Sequence, residues 1–174
     1  MEEIATTAGV SKQTVYSHFS DKEQLFFEIV LATTGEIDEL VRLVASTLDS
    51  TADLEKDLRR LARIFIAALM DPKLLRLRRL VIANADRFPE LGTAWYSQGF
   101  ERVLSTLASS FAQLAKRKLL RISDPVLAAD HFVGMLLWIP VNRAMFTGNH
   151  AEYTARQLER YADAAVSAFL TGHS

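Results

Sequence analysis

From Ser11 to His18 the chain lines up groups that trade hydrogen bonds: Ser11, Lys12, Gln13, Thr14, Tyr16, Ser17 and His18. Hydroxyls, a carboxamide and an ammonium at this spacing can address base edges and phosphates. Other chemistry is poorly served. The four histidines, His18, His131, His150 and His173, are spread along the chain. None has the i, i+4 partner of a helical zinc site or the Glu-x-x-His spacing of a di-iron bundle. Neither a Gly-x-Ser-x-Gly elbow nor a phosphate-binding glycine loop occurs. An enzyme is therefore the lesser reading. A purely structural bundle would leave the Ser11–His18 surface without a use.

Two short helices must hold these groups, over about 1–8 and 11–18. Gly9 joins them, where a left-handed backbone is cheap for glycine. Ile4, Ala8, Val10 and Val15 are the apolar residues that could close the angle between them, and Ala5 is small enough for close approach. Ser11 is placed to cap the second helix. That helix would turn Lys12, Gln13, Thr14 and Ser17 outward and fits a major groove. Tyr16 and Phe19, on residue type alone, read as core; His18 reads equally as surface or as a phosphate ligand.

The run from Ile4 to Leu25, Ile-Ala-x-x-Ala-Gly-Val-Ser-x-x-Thr-x-Tyr-x-His-Phe-x-x-Lys-Glu-x-Leu, resembles the signature of the TetR/AcrR family of transcriptional regulators. The AefR-like branch is the nearest in character. The resemblance implies a homodimeric, ligand-responsive repressor on a palindromic double-stranded DNA operator. It implies that Ser11 to His18 is the recognition helix, with Lys12, Gln13 and Thr14 at bases and nearby phosphates. Tyr16 and His18 would meet the DNA backbone, as would Thr6 and Thr7 from the preceding helix. Lys22 would bind a phosphate together with helix-end amides. Family members carry a further helix before this motif; the chain opens inside the family's second helix, so weak DNA binding is expected of it.

The rest of the sequence reads as an all-α fold. Helices are expected over about 21–48, 52–70, 72–87, 89–117, 125–147 and 150–171. Asp71-Pro72 and Asp124-Pro125 set an N-cap carboxylate before a first-turn proline. Ser20 to Glu23 and Asn149 to Glu152 read as capping boxes. The long helix over 21–48 carries Leu25, Ile29, Ala32, Ile37, Leu40, Val41 and Val44 near helical spacing. A DNA-binding domain over 1–30 would thus precede an effector-binding and dimerisation domain over 31–174.

Phe65, Leu69, Val81, Trp95 and Phe100 are candidates to line a pocket for a small hydrophobic effector, with ordinary core as the alternative. Arg76, Arg78 and Arg79 read as a solvated charge run. In the last two helices Phe132, Val133, Leu136, Leu158, Tyr161, Ala162, Ala165 and Phe169 are candidates for a two-fold four-helix interface; covering the chain's own core is the alternative.

Composition sets outer limits. The 174 residues are 49% hydrophobic and 24% charged, with net charge −1 and no cysteine. Disulfides and thiolate chemistry are out, and a reducing cytoplasm suits the chain. Neither a metal nor a cofactor is called for. Residues 1–30 hold two lysines against five carboxylates, an unfavourable balance for a DNA-binding head. The longest apolar run, Phe132 to Val141, is about half of a membrane span and contains Pro140.

Overall fold

Aspartates determine where three of the helices begin. Asp53, Asp71 and Asp124 each turn a carboxylate oxygen onto first-turn amides at 2.8–3.1 Å, and the last two precede prolines at the first helical position. The computed structural model of the chain describes residues 1–32, 35–148 and 153–173. It is 82% helical, with no strand among the described residues. The helices are α1 (Glu2–Ala8), α2 (Lys12–His18), α3 (Lys22–Ala32), α4 (Gly35–Asp49), α5 (Leu54–Leu69), α6 (Pro72–Ala83), α7 (Pro89–Trp95), α8 (Arg102–Lys116), α9 (Pro125–Thr147) and α10 (Ala155–His173). A π-helical stretch, Tyr96–Glu101, runs between α7 and α8.

Several boundaries differ from the sequence reading, each for a local reason. The expected capping box at Ser20 slides by one residue. Asp21 accepts from the Gln24 amide at 2.7 Å, and Gln24 Oε1 accepts from the Ser20 amide at 2.7 Å. Glu23 is thereby released to pair with Arg87 at 2.5 Å. The box expected at Asn149 to Glu152 lies outside the described residues. A box forms further on: Thr154 N donates to Gln157 Oε1 at 2.8 Å, Gln157 N returns to Thr154 Oγ1 at 3.3 Å, and α10 starts at Ala155. Helix α6 ends at Ala83 rather than 87, because Asn84 closes it with turn bonds back to Val81 and Leu80. The expected 89–117 helix contains the π stretch. Of the expected 21–48 helix, 33–34 lie outside the described residues. In α3 the buried face is Leu25 and Val30, whereas Ile29 is exposed.

The core belongs to the bundle. Helices α4, α5, α8, α9 and α10 pack around Phe111, Phe132 and Phe169, whose rings lie 5.1–5.8 Å apart. Polar clamps close its rim. Asp163 on α10 accepts from Arg63 at 2.7 and 2.9 Å, and Arg117 donates to the carbonyls of Leu48, Asp49 and Thr51 at 2.8–3.3 Å. The segment 47–51, linker-like in sequence, is thus tied down, with Thr47 and Thr51 buried. A second, smaller cluster sits apart: Val30, Val81 and Leu91, flanked by Phe26, Phe27, Leu77, Phe88 and Trp95. It joins α3 to α6 and α7.

Helix α9 is long and apolar enough to cross a membrane by length and composition. Its apolar residues have a use within the fold, since Ala129, Phe132, Val133, Leu136, Leu137 and Val141 are buried in the chain's own core. Of the residues expected at an interface, Phe132, Val133, Leu136, Ala162, Ala165 and Phe169 are buried in the chain's own core, the alternative left open by the sequence, while Leu158 and Tyr161 are half-buried. The outward face of α9 carries Leu127, Met135, Trp138 and Phe146 instead, the last two 67% and 87% exposed.

Candidate functional site

At the head of the molecule two seven-residue helices meet around very little. Gly9 closes α1 with φ 67°, as its position in the sequence predicts, and nothing stands within 4 Å of where its Cβ would be. Ser11 Oγ accepts from the Thr14 amide at 3.0 Å and starts α2. Ala5 and Val15 are the buried residues of the pair. Ile4 is half-buried, but Ala8 and Val10 are exposed and do not close the angle as expected. Seven residues per helix leave room for one fully buried position each; apart from the half-buried Ile4, the others face water.

Thr6, Thr7, Ser11, Lys12, Gln13, Thr14, Tyr16, Ser17, His18 and Lys22 are all exposed. Their present bonds are local. Thr6 and Thr7 hydroxyls donate back to the carbonyls of Glu2 and Glu3 at 3.0 and 2.8 Å. Ser17 donates to Thr14 O, and the Ser11 and Thr14 hydroxyls share a bond of 2.8 Å. Lys12 is held by Glu2 at 2.5 Å, and this bond raises the lysine's pKa and lowers the glutamate's. Both partners are exposed and their attraction is screened by water and salt, so a phosphate can compete for the lysine. Two of the five head carboxylates are already engaged, Glu2 by Lys12 and Glu23 by Arg87, which softens the acidic balance of the sequence. At the start of α3 the Asp21 carboxylate takes the Gln24 amide, and that bond lowers its pKa; one of the helix-end amides expected for phosphate is therefore occupied.

A second feature lies in the bundle. Phe65 and Leu69 on α5, Trp95 and Phe100 around the π stretch, and Leu74 and Arg78 on α6 line an apolar cavity of about 80 Å³. Four of the five expected pocket residues come together here. Val81 does not; it packs behind the wall, in the cluster that joins α3 to α6 and α7. Trp95 belongs to both the cavity and that cluster. Arg78, Tyr96 and Phe100 also border an open cleft of about 700 Å³ running along α9 past Asp130, Trp138 and Phe146. The π stretch shapes both spaces: its wider turn puts Tyr96, Gly99 and Phe100 at the cavity wall, and such turns recur at functional sites.

The arginine run is not the solvated face expected from sequence. Arg76 is exposed, but Arg78 and Arg79 are half-buried. Arg79 donates to the carbonyls of Ala144 and Met145 near the end of α9, at 3.0 and 3.1 Å. Sequence alone could have flagged them only by their period, since a run at positions 76, 78 and 79 covers more than one side of a helix.

Residues 1–29 match the family model described as bacterial regulatory proteins, tetR family, and residues 56–172 match the AefR-like transcriptional repressor, C-terminal domain. A crystal structure of a TetR-family transcriptional regulator from Mesorhizobium loti is 54% identical, with a TM-score of 0.92 over 99% of this chain and 85% of that one. The flavonoid-responsive regulator FrrA is 27% identical, with a TM-score of 0.69 over 100% of this chain and 86% of its own. The HTH-type transcriptional activator FasR of Mycolicibacterium smegmatis is 38% identical over 65 residues, which are 37% of this chain and 28% of that protein. These proteins regulate transcription and are not enzymes.

Proposed function

Because the chain belongs to the tetR family of bacterial regulatory proteins, with an AefR-like C-terminal domain, we propose that it is a cytoplasmic, effector-responsive repressor that holds a palindromic operator as a homodimer. The observation that carries the reading is the head. Ten hydrogen-bonding side chains are exposed on and beside a Ser11-capped helix whose inward residue is Val15. Gln13 and Lys12 would read base edges, and Lys22, Tyr16 and His18 would take phosphates. Residues 1–30 act as the DNA-binding domain and 31–174 as the effector and dimer domain.

Two copies would meet through the outward face of α9. Leu127, Met135 and Trp138 fall on one side of that helix, beside Ala168 of α10, and apolar surface of this kind is a hallmark of association. Sedimentation should give a dimer for the chain and a monomer for Trp138→Glu. A dimer that persists in that variant would move the interface elsewhere.

An effector in the cavity can reach the head by direct packing. Trp95 lines the cavity and touches the cluster that holds Phe26, Phe27 and Val30 of α3, while Arg87 beyond α6 pairs with Glu23. An effector that moves Trp95 shifts α3 and, with it, the recognition helix. A coupling of about 1–3 kcal/mol would change operator affinity by roughly 5- to 150-fold.

The test is selection from random duplex DNA, followed by transcription from the selected site. An enriched palindrome whose transcription rises when the protein is removed supports repression. No enrichment at low salt and high protein concentration, where even weak binding registers, overturns the reading. The match to FasR, named as an activator, supports the opposite sign; transcription that falls on removal would establish it.

A further inference from the structure

Arg78 stands where an uncompensated cation is costly. It lies on α6, half-buried, in the wall shared by the apolar cavity and the open cleft. Among the described residues it has no hydrogen bond, ion pair or aromatic face to rest on. Its neighbour Arg79, by contrast, is engaged, donating to two carbonyls of α9. Burial lowers the pKa of Arg78. A guanidinium taken partly out of water loses hydration that no neighbouring protein group replaces, and the open cleft beside it gives an anion access to that position.

The surroundings state what that something must be. The cavity beside Arg78 is walled by Phe65, Leu69, Leu74, Trp95 and Phe100 and offers no carboxylate. In the cleft the acidic residue is Asp130 on α9, which does not come within ion-pair distance of Arg78. At about 80 Å³ the cavity is well below the few hundred Å³ of a whole ligand site and has room for one end of a molecule. The cleft, at about 700 Å³, holds the remainder.

We propose that the effector is an amphipathic organic acid, whose carboxylate is held by Arg78 at the junction of cavity and cleft and whose apolar body lies against Trp95 and Phe100. The inference rests on the reading of this cavity as the effector site. Arginine suits the role because its planar fork can hold both carboxylate oxygens. Apolar burial would supply affinity and Arg78 selectivity: a neutral analogue leaves the guanidinium without its partner. The sign of selection follows directly, with acids preferred over the matching amides and alcohols.

Matched probes test it on the unaltered chain. Decanoate and decanamide, and 4-phenylbutyrate and 4-phenylbutanamide, are titrated into the protein by calorimetry, with no DNA present. The acid of each pair should bind at least about tenfold more tightly than its amide. Arg78→Met should erase that preference while leaving amide binding in place, and Arg78→Lys should keep part of it. Equal binding of acid and amide overturns the proposal, as does an acid preference that survives Arg78→Met. Absence of binding by both acids to about millimolar overturns it too. The outcome is separable from that of the DNA reading: an enriched operator with no acid binding removes only the effector class, whereas acid binding with no enriched operator leaves the ligand site and removes the regulator.

Discussion

The head and the bundle reach stability by opposite routes. In the head, Ala5 and Val15 are the buried residues of two helices, and local bonds do the rest: an αL glycine, a serine cap and threonine back-bonds. In the bundle a continuous core links six helices, α6 joining through Leu75, around three phenylalanines. A surface devoted to a partner gives up burial, so its order depends on turn chemistry. A domain built around a cavity needs a core large enough to tolerate the missing contacts. The head should therefore be the part that opens first.

Truncation in the core is the strongest way to probe this contrast. Phe169 is fully buried, with Phe111 and Phe132 at 5.1 Å and His173 stacked at 4.4 Å. Phe169→Ala should lower unfolding stability by about 3–5 kcal/mol in denaturant titrations. Val15→Ala, the equivalent deletion in the head, should cost about 1–2 kcal/mol and be seen first as faster hydrogen exchange in α1 and α2. A Val15→Ala variant that shifts the global midpoint as far as Phe169→Ala would break the contrast.

Gln13→Ala should weaken operator binding by about 1–3 kcal/mol and leave random DNA nearly unaffected. Lys22→Ala should weaken both and reduce the salt slope by about one. Neither should change the melting of the bundle. Unaltered affinity in both variants would remove them from the DNA surface.

Left-handed positions sharpen the comparison further. The head has glycine at its αL turn; the bundle has Lys118 at φ 60°, just after α8. Gly9→Ala should cost about 1–2 kcal/mol from backbone strain alone, since no atom obstructs the new methyl. Lys118→Gly should return a smaller gain, about 0.5–1 kcal/mol. Thermal melts of the two variants should move in opposite directions.

The smallest effect is electrostatic. The hydrogen bond from Arg63 lowers the pKa of Asp163 below its unfolded value, so the ionised form favours the fold. That stability is present above the ordinary carboxylate range and is lost as pH falls through the folded value. Asp163→Asn should cost about 0.5–1 kcal/mol at neutral pH and flatten the loss of stability in acid. An unchanged slope between about pH 5 and pH 2 would rule the pair out as a contributor.

The same division explains what was legible in the sequence. The head could be read residue by residue because its determinants are local: Gly9, Ser11 and Val15 act within a few positions of themselves. Even there, Ala8 and Val10 read as buried and are exposed. The bundle gave up its helices but not its assignments. Nothing in the spacing of Phe132 or Phe169 tells core from interface, because both faces of α9 are apolar and only packing decides between them. Val81 and Trp95 are both large apolar residues on neighbouring helices, yet Trp95 lines the cavity and Val81 packs behind its wall, a difference that only the packing of α6 against α7 decides. The Arg78 site was hidden for a related reason: its meaning lies in a partner that is missing from the surrounding helices.

Trp95 sets the terms on which a message could cross the molecule. Its contacts with the α3 cluster are between uncharged, apolar bodies, which dissolved ions do not screen, whereas the grip on phosphate proposed for Lys12 and Lys22 would weaken steeply with salt. With the screened Arg87–Glu23 pair removed by Arg87→Ala, raising ionic strength should turn down the volume of DNA binding without altering the gain: at saturating effector, the ratio of affinities with and without it stays nearly constant while both fall together.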